Sequence, residues 1–350
     1  MKVKGKFIYE QLDKLFVNAR PIEVAKEDKI VIFSDLHMGD GSSNDDFKTN
    51  AEMFSYILKN YYLQKNYHLI LNGDVEELQR FSMSKIHNAW DSVVSLFSQF
   101  GGRLYKTIGN HDLKLSVMNP EELIHPVDEA IKLIFEEGEM FVFHGHQASK
   151  KYQRHNQIVG FTLKYFANPL GIKNYSVSHD SRKQFKIEKI AYHYAAFKKI
   201  ISVIGHTHRP LFESMHKKDR IRFKIEQLCR EYAETKKEGL KEAIKVLKQS
   251  LKKASKQYEE GRDNGFVYNT ELNLPCLFNS GTVIGKRGMT CLEIESGKIS
   301  LVHWFDKKIS KKYLKNNENE PQQQGNSDYY RMVINTDDLN YIFTRVKLLS

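Results

Sequence analysis

Five short apolar runs, each ending in polar and chemically capable side chains, constrain the fold more than any other feature of this chain. They are KIVIFSDLH at 29–37, HLILNGD at 68–74, LYKTIGNHD at 104–112, MFVFHGH at 140–146 and IISVIGHTH at 200–208. Each run has the length and composition of a buried strand that leads into a loop. Helical patterns between them, at 51–65 and 84–100, indicate an α/β sheet with parallel neighbouring strands.

The polar side chains after these runs are expected to lie close together, because ligands of parallel sheets gather at the carboxyl ends of the strands. Asp35 and His37 lie two residues apart, so both can point the same way from an extended chain. Taken singly, such residues have ordinary structural roles: Asp74 would serve as a helix N-cap, and an isolated histidine is usually a hydrogen-bonded core residue. Seven of them at strand ends favour a metal site instead: Asp35, His37, Asp74, Asn110, His144, His206 and His208.

Taken in order, these blocks resemble the motifs of the calcineurin-like metallophosphoesterase superfamily over about residues 29–210. The matching segments are Asp35-x-His37, Gly73-Asp74, Gly109-Asn110-His111-Asp112, His144 and Gly205-His206-x-His208. The resemblance implies an α/β fold, a four-layer αββα sandwich of two mixed β-sheets with helical insertions.

The resemblance also implies two divalent cations whose ligand sets are joined by a bridging Asp74. The first set is Asp35, His37 and His208. The second set is Asn110, His144 and His206. His146 competes with His144, which we prefer because family members generally bind through the histidine that precedes a glycine. Mixed oxygen and nitrogen ligands suit Mn²⁺, Fe²⁺ or Zn²⁺, and Mn²⁺ is our first expectation.

Two such ions share a water, lower its pKa and clamp phosphoryl oxygens. We therefore expect hydrolysis of phosphate ester or phosphoanhydride bonds by a metal-bridging hydroxide. By resemblance, His111 protonates the leaving oxygen or steadies the charge of the transition state, and Asp112 fixes its tautomer. The alternative for His111 is structural support of the neighbouring ligand.

Two basic, helical inserts interrupt the strand rhythm, at 149–200 and 213–265. The first carries eleven Lys or Arg against two acids, interleaved with aromatic residues. The resemblance implies a phosphorylated, anionic substrate. The formal net charge of +11 is consistent with an anionic partner, and the basic inserts allow contact with a membrane-surface lipid or a nucleic acid.

The sequence allows several interpretations of the substrate class. The SDLH start, the GHTHRP ending and an insert after the HG motif resemble UDP-2,3-diacylglucosamine pyrophosphatases. That subfamily typically has arginine where this chain has His111, and its continuation differs from DLHMGDG, which favours a general phosphodiesterase or phosphomonoesterase. A nuclease is a further alternative. A non-catalytic scaffold of the same fold is disfavoured because all seven ligand positions are filled.

The remaining sequence predicts domain organisation and compartment. We expect a metallophosphoesterase domain at 1–314, a flexible linker at 315–328, where hydrophobic residues are scarce, and a C-terminal docking segment at 329–350.

The three cysteines are widely spaced and odd in number, a pattern that fits neither a disulfide framework nor a cysteine-based zinc site. Without a secretory signal or an apolar run of about 18 residues, a cytoplasmic protein is expected, at most peripheral to a membrane. No feature indicates a particular oligomeric state.

Overall fold

The computed structural model describes residues 3–119, 121, 123–149, 181–214, 217–259, 274–315 and 320–350. The strands are β1 Arg20–Glu23, β2 Ile30–Phe33, β3 His68–Asn72, β4 Leu104–Thr107, β5 Ala130–Phe135, β6 Gly138–Phe143, β7 Ile201–Ile204, β8 Leu277–Asn279, β9 Met289–Glu295, β10 Lys298–Asp306, β11 Gln322–Gln323 and β12 Tyr329–Asp338. The α-helices are α1 Val3–Asn18, α2 Ala51–Ile57, α3 Met83–Ser98, α4 Ser181–Lys198, α5 Lys217–Thr235, α6 Glu238–Glu259, α7 Lys307–Ser310 and α8 Leu339–Leu349.

The strands form two mixed sheets. One has the order β1-β5-β6-β7-β8, and the other has the order β11-β12-β10-β9-β2-β3-β4. Within them, β2, β3 and β4 run parallel to one another, and so do β6, β7 and β8. The five motif-bearing runs are therefore the parallel strands β2, β3, β4, β6 and β7.

The alternation of side chains along β2 shows how the layers stack. Ile30 and Ile32 belong to the core that the two sheets share, whereas Val31 and Phe33 belong to a second core shared with α2 and α3. A strand buried on both faces has a continuous apolar sequence, which is why IVIF lacks polar alternation.

The opposite outer layer consists of α1 and α4. Leu12 of α1 and Ala195 of α4 are fully buried in the core that contains the five-stranded sheet, and Phe16 meets Phe141 of β6 edge to face at 5.2 Å. The order of layers is helix, sheet, sheet, helix. The predicted four-layer α/β sandwich is confirmed.

Helices lie within both segments that the sequence predicts as inserts. Helices α5 and α6 lie within the predicted insert at 213–265 and pack against each other, whereas α4 is the C-terminal part of the insert at 149–200. Residues 150–180, 215–216 and 260–265 of these inserts lie outside the described residues. None of the described helices has the length and apolar character that a bilayer crossing requires.

The chain after residue 315 differs in part from its expectation. The polar stretch at 315–328 predicts a flexible linker, but Gln322 pairs with Arg331 of β12, and Gln323 pairs with Tyr330. Backbone hydrogen bonds order this segment despite its lack of hydrophobic side chains. Residues 316–319 lie outside the described part of the chain. The segment at 329–350 forms β12, paired with β10, and α8.

We predict that Phe343→Ala in α8 lowers the free energy of unfolding by about 3–5 kcal/mol, the usual effect of emptying an aromatic core site. Phe343 is 1% exposed and its ring lies 5.8 Å from that of Phe135. Leu348 on the same helix is 77% exposed, so Leu348→Ala should change stability by less than about 0.5 kcal/mol. Urea unfolding measures both, and equal effects would contradict the docking of α8.

Candidate metal centre

The loops after β2, β3, β4, β6 and β7 converge at one edge of the two sheets. Three sets of side chains each bring their ligand atoms within 4.8 Å of one another. These sets are Asp35 with His37 and His208, His37 with Asp74 and His111, and Asp74 with His144 and His206. The first of these is the predicted set of Asp35, His37 and His208. The third contains His144 and His206 of the other predicted set together with Asp74, and it lacks Asn110.

Asp74 occupies the position between the two sets. Its Oδ2 lies 3.1 Å from His144 Nε2 and 3.9 Å from His37 Nε2. On the other side, Asp35 Oδ1 lies 3.1 Å from His208 Nε2, and the Nε2 atoms of His37 and His208 are 3.2 Å apart. One carboxylate is thus within reach of ligands from both sets, as a bridging residue must be.

Five of the seven predicted ligands have a left-handed backbone conformation, which is uncommon for residues with a side chain. The φ angles lie between 49° and 63° for Asp35, His37, Asp74, His206 and His208. Each such residue costs about 1–2 kcal/mol, and such strain persists only when the surroundings hold it in place. It concentrates here because the chain must turn sharply at each strand end.

Hydrogen bonds between the loops hold these turns. The amide of Asp35 donates to the carbonyl of Gly73 at 3.1 Å, and the amide of His37 donates to the carbonyl of Asp74 at 3.0 Å. Gly73 must be glycine, since it has φ 77° and a Cβ there would lie 2.5 Å from Nδ1 of His144. The second motif therefore owes its glycine to the close approach of His144 from the other sheet.

The donor atoms fit divalent cations. Asn110 Oδ1 and His206 Nε2 are buried without a hydrogen-bond partner among the described residues. Such an unpaired group costs about 1–3 kcal/mol, so it calls for a ligand. Imidazole nitrogens with carboxylate and amide oxygens form a donor set that suits Mn²⁺, Fe²⁺ or Zn²⁺.

Charges within the site support each other. Burial alone would raise the pKa of Asp35, but the rings of His208 and His144 outweigh it and lower that pKa to about 2. Burial likewise acts against the rings of His144 and His111, which hold the pKa of Asp74 well below its usual range. Burial lowers the pKa of His144, but Asp74 and Asp35 raise it to about 10. The carboxylates are therefore ionised and can bind cations. At the histidines, a cation and a proton compete for the same ring nitrogen.

The partner of His111 differs from the sequence expectation. Both carboxylate oxygens of Glu77 lie within 2.9 Å of His111 Nδ1, and Glu77 Oε2 is also 3.0 Å from Nδ1 of His37. Asp112, predicted to orient His111, instead accepts hydrogen bonds from the backbone amides of Gly109 at 2.5 Å and Val75 at 2.8 Å. The prediction for Asp112 is corrected: it shapes the loop, and Glu77 orients the ring.

Glu77 was missed because the sequence names no partner for a histidine 34 residues away. The available signal was the run GDVEE, in which Glu77 follows Asp74 by three residues. His146, the competing ligand, is 3% exposed and its ring centroid lies 5.5 Å from that of His144. It joins none of the three sets of ligand atoms.

Residues 279–282 support two of the ligand loops. Asn279 Nδ2 donates to the carbonyl of Gly205 and to Oγ1 of Thr207, both at 2.9 Å. Thr282 Oγ1 donates to the carbonyl of Asp35 at 3.0 Å. The segment after β8 thus fixes a loop from each sheet without supplying a ligand atom.

We predict that Glu77→Gln weakens metal binding at the His37 side of the centre by about 10–100-fold, the usual effect of removing a carboxylate that orients a ligand histidine. Titration calorimetry with Mn²⁺ measures the affinity. Glu139→Gln is the control, because the Glu139 side chain is 39% exposed on β6. Equal affinities in the two variants would show that Glu77 does not orient His37.

Comparisons with known proteins place the chain in a family. The model of the calcineurin-like phosphoesterase family matches residues 28–233. No curated protein matches the chain significantly. Among solved structures, a single mutant of Vps29 from Entamoeba histolytica shares 10% identity over 79% of this chain and 92% of its own, with a TM-score of 0.35.

A conserved uncharacterized protein from Streptococcus pneumoniae, described as a predicted phosphoesterase, shares 12% identity over 81% of this chain and 91% of its own, with a TM-score of 0.28. Both likenesses are remote. The family match spans more than half of the chain and all five loops that carry the candidate ligands. The chain therefore belongs to the calcineurin-like phosphoesterase family.

Proposed function

We propose that this protein hydrolyses phosphate ester or phosphoanhydride bonds with the help of two divalent cations. The observation that carries the proposal is the convergence of ligand atoms from five loops around Asp74, which has histidine nitrogens of both sets within 3.9 Å. The buried polar atoms and strained turns of this site lower the stability of the protein. An apolar core would stabilise the fold better, so the arrangement points to a function.

The chain offers two ligand sets with a shared member. Asp35, His37 and His208 would hold one cation. Asn110, His144 and His206 would hold the other, and Asp74 would bind both. A bound pair of cations lowers the pKa of a shared water and neutralises charge on phosphoryl oxygens. Mn²⁺ is the first cation to test.

His111 is the proposed general acid. Its Nδ1 is held by Glu77, which fixes the ring and leaves Nε2 as the nitrogen that can deliver a proton. The side chain is 18% exposed, more than those of His37 and His144, so it lies nearer to solvent at the centre. Glu77 would then maintain the orientation of both His111 and the ligand His37.

A general phosphodiesterase or phosphomonoesterase is the substrate class that we favour. A histidine at position 111, where UDP-2,3-diacylglucosamine pyrophosphatases typically have arginine, distinguishes this chain from that subfamily. All seven ligand positions are filled, which supports a catalytic protein over a scaffold. The three cysteines are free thiols, which is consistent with a reducing cytoplasm.

A nuclease is the second candidate, and helix α6 supports it. Four exposed lysines, Lys241, Lys245, Lys248 and Lys252, recur every three or four residues and form a stripe along one side of the helix. Such a stripe would attract a phosphate backbone.

The Mn²⁺-loaded protein should hydrolyse bis-p-nitrophenyl phosphate, p-nitrophenyl phosphate or pyrophosphate. Cleavage of DNA or RNA that falls steeply with salt would favour the nuclease. A metal-loaded protein that hydrolyses none of these would contradict the proposed function.

We predict that Asp74→Ala loses at least one of the two cations, because a shared carboxylate serves both. Metal content by mass spectrometry gives the number of ions per chain. Asp91→Ala, on the exposed side of α3, should keep both ions. Two ions per chain in the Asp74 variant would refute the bridging role.

We predict that His111→Ala keeps its cations and lowers turnover by about 10²–10⁴-fold, the usual contribution of general acid–base catalysis. Steady-state assays with bis-p-nitrophenyl phosphate, together with metal content, separate the two effects. His193→Ala, at an exposed position of α4, is the control. Unchanged turnover would leave His111 with a structural role only.

A further inference from the structure

The loop that carries His206 and His208 is anchored by a buried side chain of α4. Thr207 lies between the two ligands and is fully buried, and its Oγ1 lies 3.0 Å from Oε1 of Glu188. Glu188 is itself fully buried. A carboxylate of this kind is costly to bury, so its contacts with this loop call for a reason.

The direction of the hydrogen bond to Glu188 follows from the neighbouring groups. The amide of Gly281 donates to Oδ1 of Asn279 at 2.8 Å, which identifies the other side-chain atom of Asn279 as the Nδ2 donor. Nδ2 donates to Oγ1 of Thr207. The single hydroxyl hydrogen of Thr207 is therefore donated to Glu188, so this position needs a side chain with an acceptor oxygen.

A second side chain of α4 acts on the same residue. Gln184, one helical turn before Glu188, donates from Nε2 to the carbonyl of Thr207 at 2.8 Å. Glu188 Oε2 also lies 3.5 Å from Nη2 of Arg209, directly after the ligand His208. Helix α4 thus holds the hydroxyl, the carbonyl and the following arginine of a loop whose two histidines have left-handed backbones.

We propose that Glu188 is a positioning residue for the metal centre, and that it acts through Thr207 to hold His206 and His208 in the geometry that binds cations. The inference rests on the proposed function, because it assigns these histidines to two ligand sets. Glu188 contributes no ligand atom. Its loss lets the strained loop relax, which separates the two histidines from their partners.

The test combines Glu188→Ala, Glu188→Gln, Thr207→Val and the double variant of Glu188→Ala with Thr207→Val. Calorimetry with Mn²⁺ alone measures affinity, and bis-p-nitrophenyl phosphate assays measure kcat and KM. Glu188→Ala and Thr207→Val should each weaken Mn²⁺ binding by about 10–100-fold, the usual effect of removing a group that holds metal-binding histidines in place. The loss of affinity in the double variant should be smaller than the sum of the two single losses in free energy, because both changes break the hydrogen bond between Thr207 and Glu188.

Glu188→Gln should retain part of the affinity, because its amide oxygen still accepts from Thr207. Lys189→Ala, at the exposed neighbouring position of α4, should match the wild type. If Glu188→Ala fails to fold, Glu188→Gln and Thr207→Val still carry the test. Wild-type affinity in both of these, or additive losses in a foldable double variant, would overturn the inference.

The two proposals fail in different ways. A wild-type protein that binds Mn²⁺ but hydrolyses none of the tested phosphates would refute the proposed function, and weakened Mn²⁺ binding in the Glu188 variants would still support the positioning role. An active wild type with unchanged Glu188 and Thr207 variants would refute the positioning role alone.

Discussion

Mutual attraction between buried carboxylates and imidazoles, at the edge where two sheets meet, is the interaction on which the rest of this structure depends. Asp35 and Asp74 are almost completely buried, and each lies 3.1 Å from a histidine nitrogen. Burying a charge is costly unless it is paired. The fold therefore has to bring acids and histidines together from loops far apart in the chain, and parallel strands do this because their carboxyl ends share one edge.

Holding this arrangement requires rigid surroundings, because the turns that aim the ligands are strained. Glu77 holds the rings of His37 and His111. Asn279 of β8 and Glu188 of α4 both hydrogen-bond to Thr207. Each support comes from a side chain that binds no cation in the proposed assignment. The centre is thus a property of the whole sandwich, which explains why ligand loops from both sheets are cross-linked by hydrogen bonds.

Much of this could be predicted from the sequence, because strand ends are local features. The run IVIF and the following Asp35 and His37 indicate a buried strand and a chelating loop without any knowledge of the rest. The partner of His111 was not predictable in this way, since Asp112 is its sequence neighbour and Glu77 is its neighbour in space. The ordering of Gln322 was also hidden, because its backbone pairs with β12 although its composition is polar.

Anomalous diffraction from a crystal of the Mn²⁺-loaded protein tests the central claim most directly. The account predicts two manganese peaks about 3.5–4 Å apart, the usual spacing of such pairs, with Asp74 contacting both. One peak should also contact Asp35 and the other Asn110. A single peak, or two peaks that do not share Asp74, would contradict the account.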